Sequence, residues 1–89
     1  MLHDSRGKEI SAKILLVEDS RSDAYLVRLA VERISQPCEL IHCIDPDDAL
    51  RLLKSCDKSG APQLIILDLN TPGKSGFDLL IEIHKLPAL

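Results

Sequence analysis

Aromatic side chains are almost missing from this chain of 89 residues, which has one tyrosine, Tyr25, one phenylalanine, Phe77, and no tryptophan. A hydrophobic core must therefore consist of aliphatic side chains, and we expect the two aromatic rings to pack against it. Proteins that bind single-stranded nucleic acids stack the bases on several aromatic rings. The composition therefore disfavours that class of function.

Positive charge is also scarce, because 11 lysine and arginine residues stand against 14 aspartate and glutamate residues, for a net charge of −3. Neither half of the chain is basic. Nucleic-acid backbones and anionic membrane surfaces bind clustered cations. We therefore expect this chain to bind neither of them directly.

Paired cysteines and long apolar runs are absent as well. The three cysteines, Cys38, Cys43 and Cys56, form no CxxC spacing and are odd in number, which disfavours a disulfide framework or a zinc knuckle. The first thirteen residues are polar and mixed in charge, and no apolar run is long enough to cross a membrane. These features predict a single small cytoplasmic domain without a membrane span.

Short apolar runs and amphipathic segments alternate along the chain. Residues 14–17, ILLV, are a continuous run of branched side chains, which is typical of a strand buried on both faces. Ser20 or Ser22 can then cap a helix over about residues 23–34. Its apolar side chains recur at helical spacing: Val27, Ala30, Val31 and Ile34.

The same alternation occurs twice more. Residues 38–43 predict a second strand, and Asp45 followed by Pro46 predicts the start of a second helix with Ala49, Leu52, Leu53 and Cys56 on one face. Residues 64–67, LIIL, predict a third buried strand that ends at Asp68. The capping-box spacing that begins at Ser75 predicts a third helix, which stops before Pro87.

Strands that alternate with helices through short connections form a parallel sheet with right-handed crossovers and helices on both faces, so the predicted fold class is α/β. Ligands of such sheets bind at the carboxyl ends of the strands. Glu18 and Asp19 follow the first strand, and Asp68 follows the third. If these two strands are neighbours, three carboxylates converge at one edge of the sheet.

Three crowded carboxylates repel one another, and a bound divalent cation relieves this repulsion. Mg²⁺ prefers oxygen ligands and is often held by one or two carboxylates together with a phosphate group. An aspartate can itself accept a phosphoryl group while the metal ion neutralises charge on the transferred oxygens. The predicted site therefore suits phosphoryl chemistry that depends on Mg²⁺.

Two segments, ILLVEDS at residues 14–20 and LIILDLNTPGKSG at residues 64–76, resemble the receiver domain of two-component response regulators. The resemblance implies a flavodoxin-like parallel sheet with Asp68 as the phosphoacceptor. It also implies a Mg²⁺ site in which Asp19 binds the ion directly, Glu18 acts through water, Asp68 contributes its carboxylate and Asn70 contributes its backbone carbonyl. The phosphoryl donor implied is a histidine kinase or a phosphotransfer protein, and the domain itself is not an enzyme.

The resemblance covers residues 13–89, which follow a polar tail at residues 1–12. A complete receiver has five strands in the order 2-1-3-4-5, whereas this sequence predicts three strands and three helices. The family's hydroxyl residue on strand four and lysine on strand five have no counterpart. We therefore expect a receiver domain that is incomplete at its C-terminal end, with an exposed strand edge that allows self-association.

Two alternatives follow from the same residues. A degenerate receiver would bind a protein partner without accepting a phosphoryl group, and Mg²⁺-dependent phosphorylation of Asp68 would distinguish the two functions. The segment from Asp68 to Thr71 is also similar to the DxDxT motif of haloacid-dehalogenase-like phosphatases. In this chain Asn70 replaces the general acid of that motif and the threonine stands one place early, which disfavours a phosphatase.

Overall fold

The computed structural model describes residues 12–68 and 76–86. Their strands and helices alternate in the order β1 (Ala12–Val17), α1 (Arg21–Glu32), β2 (Cys38–Cys43), α2 (Pro46–Ser55), β3 (Leu64–Leu67) and α3 (Gly76–His84). The strands form one parallel sheet in the order β2-β1-β3. The predicted α/β fold with a flavodoxin-like parallel sheet, three strands and three helices is confirmed.

Strand β1 lies at the centre of the sheet and pairs on both sides. Leu15, for example, lies opposite Ile41 of β2 and opposite Ile65 of β3. The four apolar residues at the end of β1 are at most 5% exposed. The prediction of a strand buried on both faces is therefore correct for β1.

The two faces of the sheet carry different helices, because successive side chains of a strand point to opposite faces. Leu15 and Val17 belong to the main hydrophobic cluster, to which α2 and α3 contribute Ala49, Leu53 and Leu79. Leu16, Leu40 and His42 occupy the opposite face and lie beside α1. The sheet thus has helices on both faces, as predicted.

Helix α1 begins at Arg21, two residues before the predicted start, because Ser20 is its N-cap. The Ser20 hydroxyl accepts a hydrogen bond from the backbone N–H of Asp23 at 3.3 Å. Ala24 is the buried residue of this helix, whereas Ala30 and Ile34 are exposed. The predicted apolar face is therefore partly wrong, since α1 is turned so that Ala30 faces outward, and Ile34 follows the end of the helix.

Helix α2 begins as the sequence predicts. Asp45 is its N-cap and accepts a hydrogen bond from the backbone N–H of Asp47 at 2.8 Å, and Pro46 occupies the first turn. The side chains that it buries are Pro46, Ala49, Leu50 and Leu53. The sequence analysis missed Leu50 and placed Leu52 and Cys56 on the buried face, where they are only half-buried.

Strand β3 is an edge strand and is less buried than its sequence predicts. Leu64 is 51% exposed, and residues 65–67 are half-buried. The predicted burial on both faces is therefore wrong for β3, because β1 is its only neighbouring strand among the described residues. An apolar run of four residues does not by itself distinguish a central strand from an edge strand.

The two aromatic side chains lie at the surface, contrary to the predicted packing. Tyr25 is 59% exposed and Phe77 is 62% exposed. Tyr25 follows the buried Ala24 on α1, and Phe77 precedes the buried Leu79 by two residues on α3. At these offsets the two rings lie beside the buried residues of their helices, and most of each ring is exposed to solvent.

The remaining surface features agree with the composition. Cys38, Cys43 and Cys56 are free and half-buried. Burial raises the pKa of the Cys43 thiol, and the nearby negative charge of Asp48 adds to this effect. None of the three described helices has both the length and the apolar character required to cross a bilayer.

The open edge of β3 leads to the first prediction. No lysine or proline interrupts β3, so its outward N–H and C=O groups can pair with another strand, and we predict that two copies of the chain associate through this edge. Ile66→Lys should weaken the association and cost about 1–2 kcal/mol of stability, because Ile66 is half-buried. Light scattering and circular dichroism over a concentration series measure both effects.

A matched control places the same charge elsewhere. Leu26 on α1 is 62% exposed, so Leu26→Lys should leave both the association and the fold unchanged. A cooperatively melting monomer at every concentration would contradict pairing at the β3 edge. So would a loss of association of equal size in the two variants.

Candidate functional site

Backbone hydrogen bonds continue beyond the strands and hold the carboxyl end of β1 to the ends of both β2 and β3. The N–H of Asp68 donates to the carbonyl oxygen of Val17 at 3.2 Å, and the N–H of Glu18 donates to that of Cys43 at 3.0 Å. These bonds position the residues that follow each strand. They place the backbone of Asp68 beside the end of β1.

Three carboxylates meet at this edge of the sheet. Glu18, Asp19 and Asp68 each contribute one carboxylate oxygen to a group whose members all lie within 4.8 Å of one another. The structure thus brings together the acidic residues that the sequence places at these two strand ends. The convergence follows from the strand order, because β1 and β3 are direct neighbours.

The three side chains differ in their exposure to solvent. Glu18 is 8% exposed, Asp68 is half-buried and Asp19 is exposed. The carboxylate of Glu18 also accepts a hydrogen bond from the backbone N–H of Ser20 at 3.2 Å. Glu18 is therefore the inner member of the site, and Asp19 is its member nearest to solvent.

The surroundings of Glu18 disfavour its charged form. Its pKa is raised above the ordinary value of 4.5, mainly because burial disfavours the charged form. The hydrogen bond from Ser20 acts in the opposite direction, and the side chain and negative charge of Asp68 raise the pKa further. Burial and the neighbouring carboxyl group of Asp68 therefore both oppose a negative charge on Glu18.

His42 supports the segment that follows β1. Its Nε2 atom donates a hydrogen bond of 2.7 Å to the backbone carbonyl oxygen of Glu18. His42 lies opposite Leu16 in the register between β2 and β1, so its ring reaches the end of the neighbouring strand. The sequence does not indicate this role of His42, because only the register of the two strands brings its ring near the site.

The donor atoms of the site fit a hard divalent cation. Carboxylate oxygens are the ligands that Mg²⁺ prefers, whereas zinc sites commonly use nitrogen and sulfur donors. A bound cation would also offset the negative charge of Asp68, which adds to the effect of burial in raising the pKa of Glu18. Glu18, Asp19 and Asp68 are thus a suitable set of ligands for Mg²⁺, and the fourth predicted ligand, the backbone carbonyl of Asn70, lies outside the described residues.

The crowding at Glu18 gives the second prediction, that Glu18→Gln stabilises the chain when no divalent cation is present. A carboxyl group whose pKa is raised in the folded state favours folding fully below its ordinary pKa of 4.5, and this contribution is lost as the pH rises. At pH 7 the neutral amide should therefore raise the free energy of unfolding by about 1 kcal/mol. Urea unfolding with a chelator present measures the difference.

The control for this prediction is Asp23→Asn, which removes one carboxylate from the exposed first turn of α1. It should not stabilise the chain, because Asp23 interacts favourably with the positive end of the helix dipole. The gain from Glu18→Gln should shrink as the pH falls through the raised pKa of Glu18 toward 4.5, because Glu18 then becomes protonated in the folded chain. A gain that is independent of pH would show that charge is not its cause.

Two response regulators are similar to the chain over most of its length. Response regulator Rcp1 from Synechocystis sp. is 40% identical to the chain over 79 residues, which are 85% of the chain and 54% of Rcp1. The cyclic di-GMP phosphodiesterase response regulator RpfG from Xanthomonas campestris pv. campestris is 27% identical over 84 residues, which are 94% of the chain and 21% of RpfG. No family model matches the chain.

The chain thus spans about half the length of Rcp1 and about a fifth of RpfG. The segment that it shares with them contains both acidic strand ends and most of the described sheet. The similarity and the sheet order agree with the resemblance carried by the two sequence segments. The chain is a homologue of the response regulators.

Proposed function

We propose that this chain is a receiver that accepts a phosphoryl group on Asp68 from a histidine kinase or a phosphotransfer protein, assisted by Mg²⁺. The observation that carries the proposal is the group of three carboxylate oxygens within 4.8 Å at the carboxyl edge of the sheet. The similarity to the response regulator Rcp1 supports a role in phosphoryl transfer. A cytoplasmic location belongs to the same proposal and agrees with three unpaired cysteines.

Asp68 is the proposed nucleophile. It is half-buried, and its backbone is anchored to Val17 at the end of the central strand, so its position is set by the sheet. A carboxylate oxygen of Asp68 forms a bond to phosphorus while the bond from phosphorus to the donor's imidazole nitrogen breaks. The products are an aspartyl phosphate and the free imidazole of the donor.

Glu18 and Asp19 have different proposed roles because their surroundings differ. Asp19 is exposed, so its carboxylate is accessible for direct binding of the cation. Glu18 is buried and holds the backbone N–H of Ser20, which favours a contact through water. Bound Mg²⁺ would neutralise charge on the phosphoryl oxygens as the group is transferred.

In this proposal the chain is an acceptor in a signalling reaction and not an enzyme that turns over a substrate. A degenerate receiver, which would bind its partner without phosphorylation, is the alternative, and phosphorylation of Asp68 distinguishes the two. RpfG is named as a cyclic di-GMP phosphodiesterase as well as a response regulator, and the chain covers only 21% of that protein. We therefore propose a response-regulator function for this chain and no phosphodiesterase activity.

The third prediction tests the acceptor. The full-length protein, incubated with acetyl phosphate and Mg²⁺, should gain the mass of one phosphoryl group, and Asp68→Asn should abolish this gain because the amide is a poor nucleophile. Intact-protein mass spectrometry measures the change. Asp78→Asn, at an exposed position on α3, is the matched control and should be phosphorylated like the unchanged protein.

Label that persists in Asp68→Asn but disappears when another residue is changed would contradict the assignment. A folded protein that never gains a phosphoryl group, even though the Asp78→Asn control is equally folded, would instead support the degenerate receiver. If the protein does gain a phosphoryl group from acetyl phosphate, phosphotransfer from a histidine kinase is the measurement that tests the proposed donor.

The fourth prediction concerns the cation. Asp19→Ala should weaken Mg²⁺ binding by about tenfold or more, and Glu18→Ala should weaken it less, because a direct bond matters more than one through water. Isothermal titration calorimetry with MgCl₂ measures both affinities. Asp23→Ala, which removes an exposed carboxylate four residues beyond Asp19, controls for the general loss of negative charge. Equal losses in the two site variants, or a larger loss in Glu18→Ala, would reverse the proposed roles.

A further inference from the structure

A cavity of about 390 Å³ lies between α1 and β2, on the face of the sheet opposite the main hydrophobic cluster. Its helical wall consists of residues at helical spacing along one stripe of α1, and its sheet wall consists of alternate residues of β2. The principal lining residues are Arg21, Ala24, Tyr25 and Arg28 of the helix and Leu40 and His42 of the strand. The volume is within the range of about 300–1,000 Å³ that is typical of small-molecule sites.

The floor of the cavity is apolar. Leu16, which is 2% exposed, and Leu40 form part of it, and Ile44 lines its edge with 52% of its surface exposed. Tyr25 adds an exposed aromatic ring to the helical wall. Isolated apolar residues at a surface are ordinary, but here they share one concave site. An apolar ligand body of one or two rings would cover them.

The charge of the cavity has only one sign. Arg21 and Arg28 line it, and no aspartate or glutamate of the described part of the chain does, although acidic residues outnumber basic ones in the sequence. Across residues 12–68 and 76–86, neither arginine has an ion-pair partner. The two residues stand about 10 Å apart along the axis of α1, given a rise of 1.5 Å per residue. Their flexible side chains can therefore reach an anion that lies between them.

We propose that this cavity binds a small organic anion with a flat apolar body and a carboxylate, sulfonate or phosphate group. The guanidinium groups of Arg21 and Arg28 would hold the anionic group, since arginine binds planar oxyanions through paired hydrogen bonds. Leu16, Leu40 and the ring of Tyr25 would cover the apolar body. This site is separate from the proposed phosphoacceptor and does not depend on its function.

The geometry also sets how such a ligand would be oriented. The Nε2 atom of His42 is engaged by the carbonyl oxygen of Glu18, so the imidazole forms a fixed part of the wall. The arginines instead belong to a helix whose outer surface is exposed, so their side chains can adjust. The apolar body therefore packs against β1 and β2, and the anionic group points toward α1.

The fifth prediction uses 1-naphthoate as the probe and the uncharged 1-naphthylmethanol as its counterpart. In a titration followed by ¹H–¹⁵N correlation spectra, naphthoate should shift the amide signals of residues 21–28 and 40–44. Arg21→Gln and Arg28→Gln should each weaken its binding by about fivefold or more, because a charge-assisted hydrogen bond is lost. The alcohol should bind more weakly than naphthoate to the unchanged protein and about equally to the unchanged protein and the two arginine variants.

The matched control is Arg33→Gln, which removes a cation from the C-cap of the same helix outside the cavity. It should leave naphthoate binding unchanged, and circular dichroism should show that all three variants are folded. Tyr25→Ala should weaken the binding of both probes, because it removes the aromatic wall. Equal affinity for the two probes, an equal loss in Arg33→Gln, or signal shifts on the α2 and α3 face would overturn the proposal.

Discussion

The double pairing of β1 is the constraint on which the rest of the structure depends. This strand supplies the hydrogen-bond partners of both other strands, and its side chains contribute to the packing on both faces of the sheet. Leu15 and Val17 anchor α2 and α3, whereas Leu16 lies beside α1. Because a parallel strand is stable only when both of its faces are covered, the helices and the sheet depend on the same six residues.

The acidic site is an electrostatic cost that this scaffold carries. A backbone hydrogen bond places Asp68 beside the end of β1, and Glu18 is almost fully buried there, so the two carboxyl groups lie close together in a site with little solvent around Glu18. A strand end that served only stability would place a neutral side chain there. Charged residues at a position where they lower the stability of the fold are typical of a functional site, because the charge is needed there for binding or chemistry.

The sequence predicted the elements well where a local chemical signal determines the structure. Asp45 followed by Pro46 strongly favours the start of a helix, and the run of branched apolar side chains in β1 is typical of a central strand. Predictions failed where a tertiary arrangement decides. Leu15 and Leu64 both belong to short apolar runs in the sequence. Leu15 is buried because β1 is the central strand, whereas Leu64 is exposed on the edge strand β3. The outward position of Tyr25 depends on how α1 is rotated over the sheet, which helical spacing alone does not fix.

The sequence predicted the three carboxylates of the candidate site, because the ends of the strands can be recognised from the sequence. It did not predict the hydrogen bond from His42 to Glu18, because this contact joins two different strands. The pairing distances also have a kinetic consequence. Leu15 meets Ile41 after 26 residues of chain but meets Ile65 only after 50, so pairing β1 with β3 closes the longer loop. Longer loops cost more entropy and close later on average. Asp68 would therefore join Glu18 and Asp19 late in folding, so that a complete acidic site marks a chain whose sheet has already assembled.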